Sequence, residues 1–334
     1  MLLTYLLMSL AVTNVYERRE QLDKFIWMLI LVNVYFALKG IENYLLGIHQ
    51  LSWQRTTGEV GGGYIGDEND FAMAMTITIA FAFFLFMKSR VWWQQIFLSG
   101  CILLYVIAIV FSWSRGGFVA MGAVVVYCIW FSGRRLISFA GLVLAAGLFL
   151  ALVPSSYTKE METITNTQEG TAQARIEFWK AAFRMYADHP VIGVGAHNGG
   201  VHMPNYINSN NPATSWGRAF HGLIPEVAAD LGTFGLLFYA LMTFWAFRAL
   251  NRIRKRNIDS EPQRQLHYLA LCLTGGYIGY FAASMFLSTA YYPQFWTLFA
   301  VTTSLVVLQQ RHLTQQDQTM NLTAVEQVVG NTAS

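Results

Sequence analysis

The sequence predicts an all-α polytopic membrane protein with about nine transmembrane helices and one long folded loop that contains an amphipathic helix. Of the 334 residues, 54% are hydrophobic and 12% are charged, which is about half the charge of an ordinary soluble domain. The apolar residues come in runs, and a membrane helix needs about 20 of them. The basic residues fall on alternate connections between these runs.

The predicted spans are runs of mostly apolar residues. They are centred on 2–15, 25–46, 71–87, 94–112, 117–131, 136–153, 223–247, 266–288 and 294–309. The first run has no charged residues before it and no small-residue cleavage site, so we interpret it as a membrane helix and not a signal peptide. The chain therefore divides into helices at 1–153, a polar loop at 154–222, further helices at 223–309 and a polar tail at 310–334.

The basic residues predict the orientation of the chain. Fourteen of the 22 lie on alternate connections: Arg18, Arg19, Lys24, Lys88, Arg90, Arg134, Arg135, Arg248, Arg252, Arg254, Lys255, Arg256, Arg264 and Arg311. The positive-inside rule places these connections and the tail in the cytoplasm, and it places the amino terminus and the 154–222 loop outside. An outer amino terminus without a signal is unusual, and leading helices missing from this chain would explain it.

Several classes of function are excluded by composition and spacing. A net charge of +3 is too small and dispersed for nucleic-acid binding. Cys101, Cys128 and Cys272 stand singly in apolar runs, so they form neither a disulfide framework nor a CxxC metal site. The Gly58–Gly66 stretch lacks a following lysine and a strand–helix context, so we interpret it as a flexible loop and not a phosphate cradle.

The polar loop at 154–222 contains its own helix signal. Ile176, Trp179, Phe183 and Tyr186 recur at helical spacing, and Pro190 ends the pattern. Loops of this length are usually functional or disordered. Because this one has an apolar helix face, we expect it to fold onto the membrane domain and to carry the chemistry.

Two arginine-containing segments are candidates for binding an anion. Arg115 lies beside two glycines between two spans, and either an anionic group nearby or a role as an interfacial anchor would explain its place. Arg175 opens the amphipathic helix and is followed by Lys180 and Arg184. The planar fork of arginine suits phosphate oxygens, while the alternative is a solvated helix face that also carries Glu177.

Four histidines raise the question of a metal site. His189, His197, His202 and His221 are separated by 8, 5 and 19 residues. These spacings fit no compact ligand pattern and no cysteine supports them, so we predict no metal.

His221 is the strongest candidate for acid–base chemistry. It lies at the outward amino end of the span that begins near residue 223, where the helix dipole lowers the pKa of an imidazole and also attracts anions. A neutral imidazole can accept a proton. Glu226 and Asp230 follow one turn apart on that helix, either as functional acids or as groups that satisfy the helix end.

Taken in order, these segments resemble the O-antigen ligase/polymerase-related superfamily over residues 61–310. The matching elements are Asn69-Asp-Phe-Ala72, Ser114-Arg115-Gly116, Arg175-Ile-Glu-Phe-Trp179, His189-Pro-Val-Ile-Gly193-Val-Gly195, and His221 with Glu226, Asp230 and Gly232. Gly222 stands where relatives usually have asparagine.

The resemblance implies a metal-independent transferase that needs no cofactor. It would move an undecaprenyl-diphosphate-linked glycan en bloc, with inversion, to a hydroxyl of a lipid A core or a protein. The site would lie at the periplasmic face of the bacterial inner membrane. By position, Arg115 and Arg175 would hold the diphosphate and His221 would activate the acceptor hydroxyl.

Four further residues are expected to contact the substrate, namely Lys180, Arg184, His197 and Glu226.

A polysaccharide polymerase of the same superfamily is the nearest alternative function. A transporter of small anions is another, but the chain shows no convincing internal repeat and its polar residues cluster at the outer surface and not at mid-membrane. A purely structural membrane subunit is the fourth.

Overall fold

A computed structural model describes residues 2–16, 18–47, 57, 67–133, 170–208 and 211–332. These residues form ten α-helices and one 3-10 helix and contain no strand, which confirms the predicted all-α class for this part of the chain. The helices are α1 Leu2–Val15, α2 Arg19–Leu45, α3 Glu68–Lys88, α4 Trp92–Phe111, α5 Arg115–Phe131, α6 Gly170–Asp188, α7 Gly199–Tyr206, α8 Leu223–Arg254, α9 Glu261–Ser284 and α10 Pro293–Thr332. The 3-10 helix Pro212–Ser215 lies between α7 and α8.

The helices agree with most of the predicted spans. Eight of the nine fall on α1–α5 and α8–α10, whereas the span at 136–153, the Gly58–Gly66 stretch and Arg134 and Arg135 lie outside the described residues. Within the described part, α2, α3, α4 and α8 are long and apolar enough to cross a membrane, and α5 is a shorter apolar helix. The chain is therefore a multi-pass membrane protein, and the count of nine spans stays a prediction.

Helix α3 lies at the centre of the bundle. Its most apolar stretch is 78% buried, against 22–33% for those of α2, α4 and α8, and it packs on α4, α5 and α9. Small residues allow this contact: a Cβ added to Gly275 of α9 would lie 2.6 Å from the Cβ of Ala80 in α3. Close backbone approach through small residues is the usual way in which membrane helices associate.

Helix α6 lies where the sequence predicts the amphipathic helix, but its buried face differs from the predicted one. Ala181, Ala182 and Met185 are fully buried, whereas Phe183 of the predicted apolar stripe is 49% exposed. The two alanines allow α6 to pack closely against a small cluster that includes Phe220. The predicted face was wrong because it was chosen by its large aromatic rings, whereas close packing between helices selects the smallest side chains.

Helix α8 is broken at Gly232, which has a φ of 62°. The segment before α7 satisfies the backbone groups around the break. The Thr233 N–H donates to the Pro190 carbonyl at 2.8 Å, and the Val194 N–H donates to the Ala229 carbonyl at 2.8 Å. A broken membrane helix needs such partners because the hydrocarbon offers none. The first turns of α8 are thereby joined to the loop that carries α6 and α7.

This junction predicts a large effect of one methyl group. Gly193 has a φ of +66°, and a Cβ there would lie 2.5 Å from the Ala229 carbonyl oxygen. We expect Gly193→Ala to destabilise the protein by about 1–3 kcal/mol through backbone strain. The control is Gly122→Ala in α5, where a Cβ meets no atom within 4 Å. Thermal unfolding in detergent checks this, and equal midpoints for the two variants would contradict the described junction.

Candidate active site

A cavity of about 480 Å³ lies between α6, the 3-10 helix and the segment that leads into α8. Its lining residues are Ala174, Arg175, Glu177, Phe178, Ile207, Asn208, Thr214, Ser215, Arg218 and His221. Two guanidinium groups, one imidazole and one carboxyl group therefore share one pocket. Arg175 and His221, which the sequence analysis selected separately, are brought together here.

The two walls of the cavity are joined by Trp179. Its indole N–H donates to the Phe220 carbonyl at 3.0 Å, which holds α6 against the residue immediately before His221. A Cβ added to Gly222 would lie 2.9 Å from the indole nitrogen. The absence of a side chain at Gly222 thus leaves room for Trp179 at this wall.

The backbone of His221 is held in an uncommon conformation. Its φ is 52°, in the left-handed region that few residues other than glycine adopt. The His221 N–H donates to the Ser288 hydroxyl at 3.0 Å, and the preceding carbonyl accepts from Trp179. Conformations of this kind cluster at functional sites, where the surrounding contacts maintain them.

The environment of His221 favours a neutral imidazole. Burial lowers its pKa from the ordinary value of 6.5, and the positive charges of Arg175 and Arg218 lower the pKa further, while the Asp67 carboxylate opposes them. A lowered pKa also agrees with the position of His221 before the amino end of α8, because the helix dipole there disfavours a positive charge. A group with a pKa below 6.5 is unprotonated at neutral pH and can accept a proton.

Arg115 lies at the start of α5, where a cap joins two helices. The Ser114 hydroxyl accepts from the backbone of the first turn of α5 at 3.0 Å and donates to the Asn69 side chain at 2.6 Å. Arg115 does not line the cavity. Asp67 caps the neighbouring α3 and is close enough to act on the charge of His221, so the ends of α3 and α5 lie on the same face of the bundle as the cavity.

Glu226 and Asp230 are buried and serve as hydrogen-bond acceptors. Glu226 accepts from the Ala290 N–H at 2.9 Å. Asp230 accepts from the Tyr291 hydroxyl at 2.9 Å, from the His197 N–H at 2.9 Å and from the Gly199 N–H at 2.8 Å. These bonds tie the loop before α7 and the α9–α10 connection to the first turns of α8.

One cluster within the described residues has a composition suited to a metal ion. His197, Glu226 and Asp230 each offer a ligand atom, and these atoms lie within 4.8 Å of one another. The oxygens of both carboxylates already accept hydrogen bonds from backbone amides. These three residues therefore join segments of the chain by hydrogen bonds.

The other residues predicted to bind substrate lie outside the cavity lining. Lys180 pairs with Glu177 at 2.7 Å, and Arg184 donates to the Tyr206 carbonyl at 2.7 Å. The His197 side chain is exposed and meets the Tyr291 ring edge to face. A role for these three in substrate binding stays a prediction.

Sequence reasoning missed Arg218 and the α9–α10 connection. Arg218 lies three residues before His221 in the same pocket, and its proximity in the sequence to a candidate base was the available signal. The connection supplies Ser288 to the His221 backbone, and Tyr292 donates to Asp70 at the start of α3 at 3.0 Å. The α9–α10 connection has no charged residue and no recognisable motif, so only the fold shows that it contacts His221 and Asp70.

Comparison with known proteins adds one finding. Residues 100–240 match the family model described as O-Antigen ligase. No curated protein matches the chain. The matched region contains Arg115, Arg175, Arg218 and His221, and it includes parts of two of the long apolar helices, α4 and α8. Residues 100–240 of the chain are therefore similar to the O-antigen ligase family.

Proposed function

We propose that the chain is a ligase-type membrane glycosyltransferase. It transfers a glycan en bloc from undecaprenyl diphosphate to a hydroxyl group of a lipid A core or a protein, at the periplasmic face of the inner membrane. The observation that carries this proposal is the single cavity that combines His221 with Arg175 and Arg218. The match of residues 100–240 to the O-antigen ligase family model supports it.

The cavity has the charges that this reaction needs. The bond between the anomeric carbon and the diphosphate breaks, and negative charge grows on the departing phosphate oxygen. Fixed guanidinium groups stabilise such charge where it develops. Arg175 and Arg218 provide two of them, and Arg115 at the start of α5 is assigned to the same diphosphate.

His221 is assigned as the general base. The acceptor hydroxyl oxygen attacks the anomeric carbon while its proton passes to the neutral imidazole, and the polyprenyl diphosphate leaves with the bonding electrons. The diphosphate is already a leaving group, so no covalent intermediate with the protein is needed. A single displacement inverts the configuration at the anomeric carbon.

A polymerase of the same family would use the same groups with a growing glycan as acceptor. The glycan ladder of a bacterium that lacks the gene separates the two functions. For a ligase, we expect long lipid-linked chains to persist while the capped acceptor disappears, because chain growth is intact and only the final transfer is lost. Collapse of the ladder to single repeats would contradict the ligase and indicate the polymerase.

Complementation makes the same experiment specific to the site. The wild-type gene restores the capped acceptor, and so does Arg252→Gln, which removes a positive charge at the far end of α8. Restoration by a variant that lacks both His221 and Arg175 would contradict a transferase that uses this cavity and would favour a transport or structural role.

A further inference from the structure

A second polar cavity, of about 300 Å³, lies at the opposite end of the bundle. Helix α3 links the two sites, because its start is near His221 and its last residue, Lys88, lines the second cavity. The 21 residues of α3 span about 30 Å at 1.5 Å per residue. The two cavities are therefore on opposite faces of the membrane, and the second is on the face that the positive-inside rule assigns to the cytoplasm.

The second cavity is basic. Lys88, Arg90 and Arg264 line it together with one acid, Glu261. Arg90 is exposed, whereas the side chains of Lys88 and Arg264 are only 16% and 17% exposed. Glu261 pairs with Arg264 and Asp23 pairs with Lys88, so the net positive charge that attracts an anion is that of the exposed Arg90.

Two of the cations are fixed in place by their neighbours. Lys88 pairs with Asp23 of α2. Arg264 of α9 pairs with Glu261 at 3.1 Å and donates to the Lys88 carbonyl. Since these contacts join α2, α3 and α9, the cationic groups are arranged before any ligand enters, which lowers the entropic cost of binding.

Aromatic residues indicate the depth of this cavity in the membrane. Trp27 lines it, and Trp92 and Trp93 follow Arg90 at the start of α4 with exposed fractions of 71% and 56%. Exposed indoles in membrane proteins lie at the level of the lipid headgroups. The cavity is therefore open at the depth where lipid phosphates are found.

We propose that this cavity binds the headgroup phosphate of an anionic phospholipid. The phosphate oxygens meet Arg90 at the open side, while Lys88 and Arg264 form the inner wall. Basic pockets between membrane helices on the cytoplasmic side are suited to anionic headgroups. The site is separate from the transferase cavity, so this proposal does not depend on the proposed function.

The test measures lipid binding to the purified full chain by native mass spectrometry. Phosphatidylglycerol and phosphatidylcholine are titrated in parallel against wild type, Arg90→Gln and Arg252→Gln. Both variants remove one exposed positive charge on the same predicted face, but Arg252 does not line the cavity. We expect Arg90→Gln to bind phosphatidylglycerol about fivefold more weakly than wild type, with Arg252→Gln unchanged and phosphatidylcholine binding the same in all three proteins.

Three results would overturn the proposal. Equal weakening by both variants would show general attraction of anionic lipid to a basic face. Wild-type affinity in Arg90→Gln would show that the cavity is not the site. Displacement of phosphatidylglycerol by millimolar glycerol phosphate would show that a free phosphate, and not a lipid, is the ligand.

Discussion

Replacing His221 with asparagine is expected to lower the rate of glycan transfer by about 10²–10⁴-fold, the usual contribution of a general base. Asparagine tolerates the left-handed backbone that His221 adopts, and it retains the N–H that donates to Ser288. The variant should therefore remain folded while it loses the proton acceptor. Transfer by the purified protein in proteoliposomes measures the effect.

The matched control removes a histidine from the same loop. His189 is exposed and outside the cavity, so His189→Asn should keep the wild-type rate. If His221→Asn transfers glycan as fast as His189→Asn, the imidazole at 221 is not the base.

The pH profile gives an independent test of the same residue. Transfer requires neutral imidazole, and activity therefore falls as pH drops through the pKa of His221. Because burial and Arg175 lower that pKa, the acid limb of kcat/KM should lie below pH 6.5. Loss of the Arg218 charge in Arg218→Gln should move the limb to higher pH, since a like charge that disfavours the imidazolium is gone. A limb that stays in place would contradict the electrostatic coupling.

The second large effect is expected at Arg175. Arg175→Gln should lower kcat by about 10²–10³-fold, as removal of one charge-stabilising donor does in other enzymes. Arg175→Lys should recover only part of the loss, because an ammonium keeps the charge but not the planar fork that matches phosphate oxygens. The proteoliposome assay measures both variants at saturating donor.

Arg252→Gln is again the charge-matched control, at the other end of α8. A uniform drop in Arg175→Gln and Arg252→Gln would indicate an effect on membrane insertion and not on the diphosphate. Equal activity of Arg175→Lys and wild type would show that a point charge suffices there.

Most of the helices and two residues of the cavity could be predicted from the sequence. Apolar runs and alternating basic connections predicted most of the helices, because a membrane span must be continuous and apolar. Arg175 and His221 could be predicted from the sequence because each interrupts the apolar pattern beside the end of a helix. Both line the described cavity.

Other parts of the site have no such local signal. Arg218 lies in an irregular segment, and only the packing of α6 against α8 brings it to Arg175. The sequence left Asp230 either as a functional acid or as a group that satisfies the helix end, and its oxygens accept hydrogen bonds from Tyr291 and two backbone amides. The break at Gly232 depends on hydrogen bonds to residues 190–195, which are about 40 positions away in the chain.

The central claim is that this cavity transfers a glycan from a lipid diphosphate to a hydroxyl group. Its most direct test uses purified wild type and His221→Asn in proteoliposomes, with undecaprenyl-diphosphate-linked glycan, an acceptor and a chelator. We predict that wild type yields glycosylated acceptor and free undecaprenyl diphosphate in equal amounts, and that His221→Asn yields neither above background. Equal product from both proteins, or no product from folded wild-type protein in the proteoliposomes, would contradict the claim.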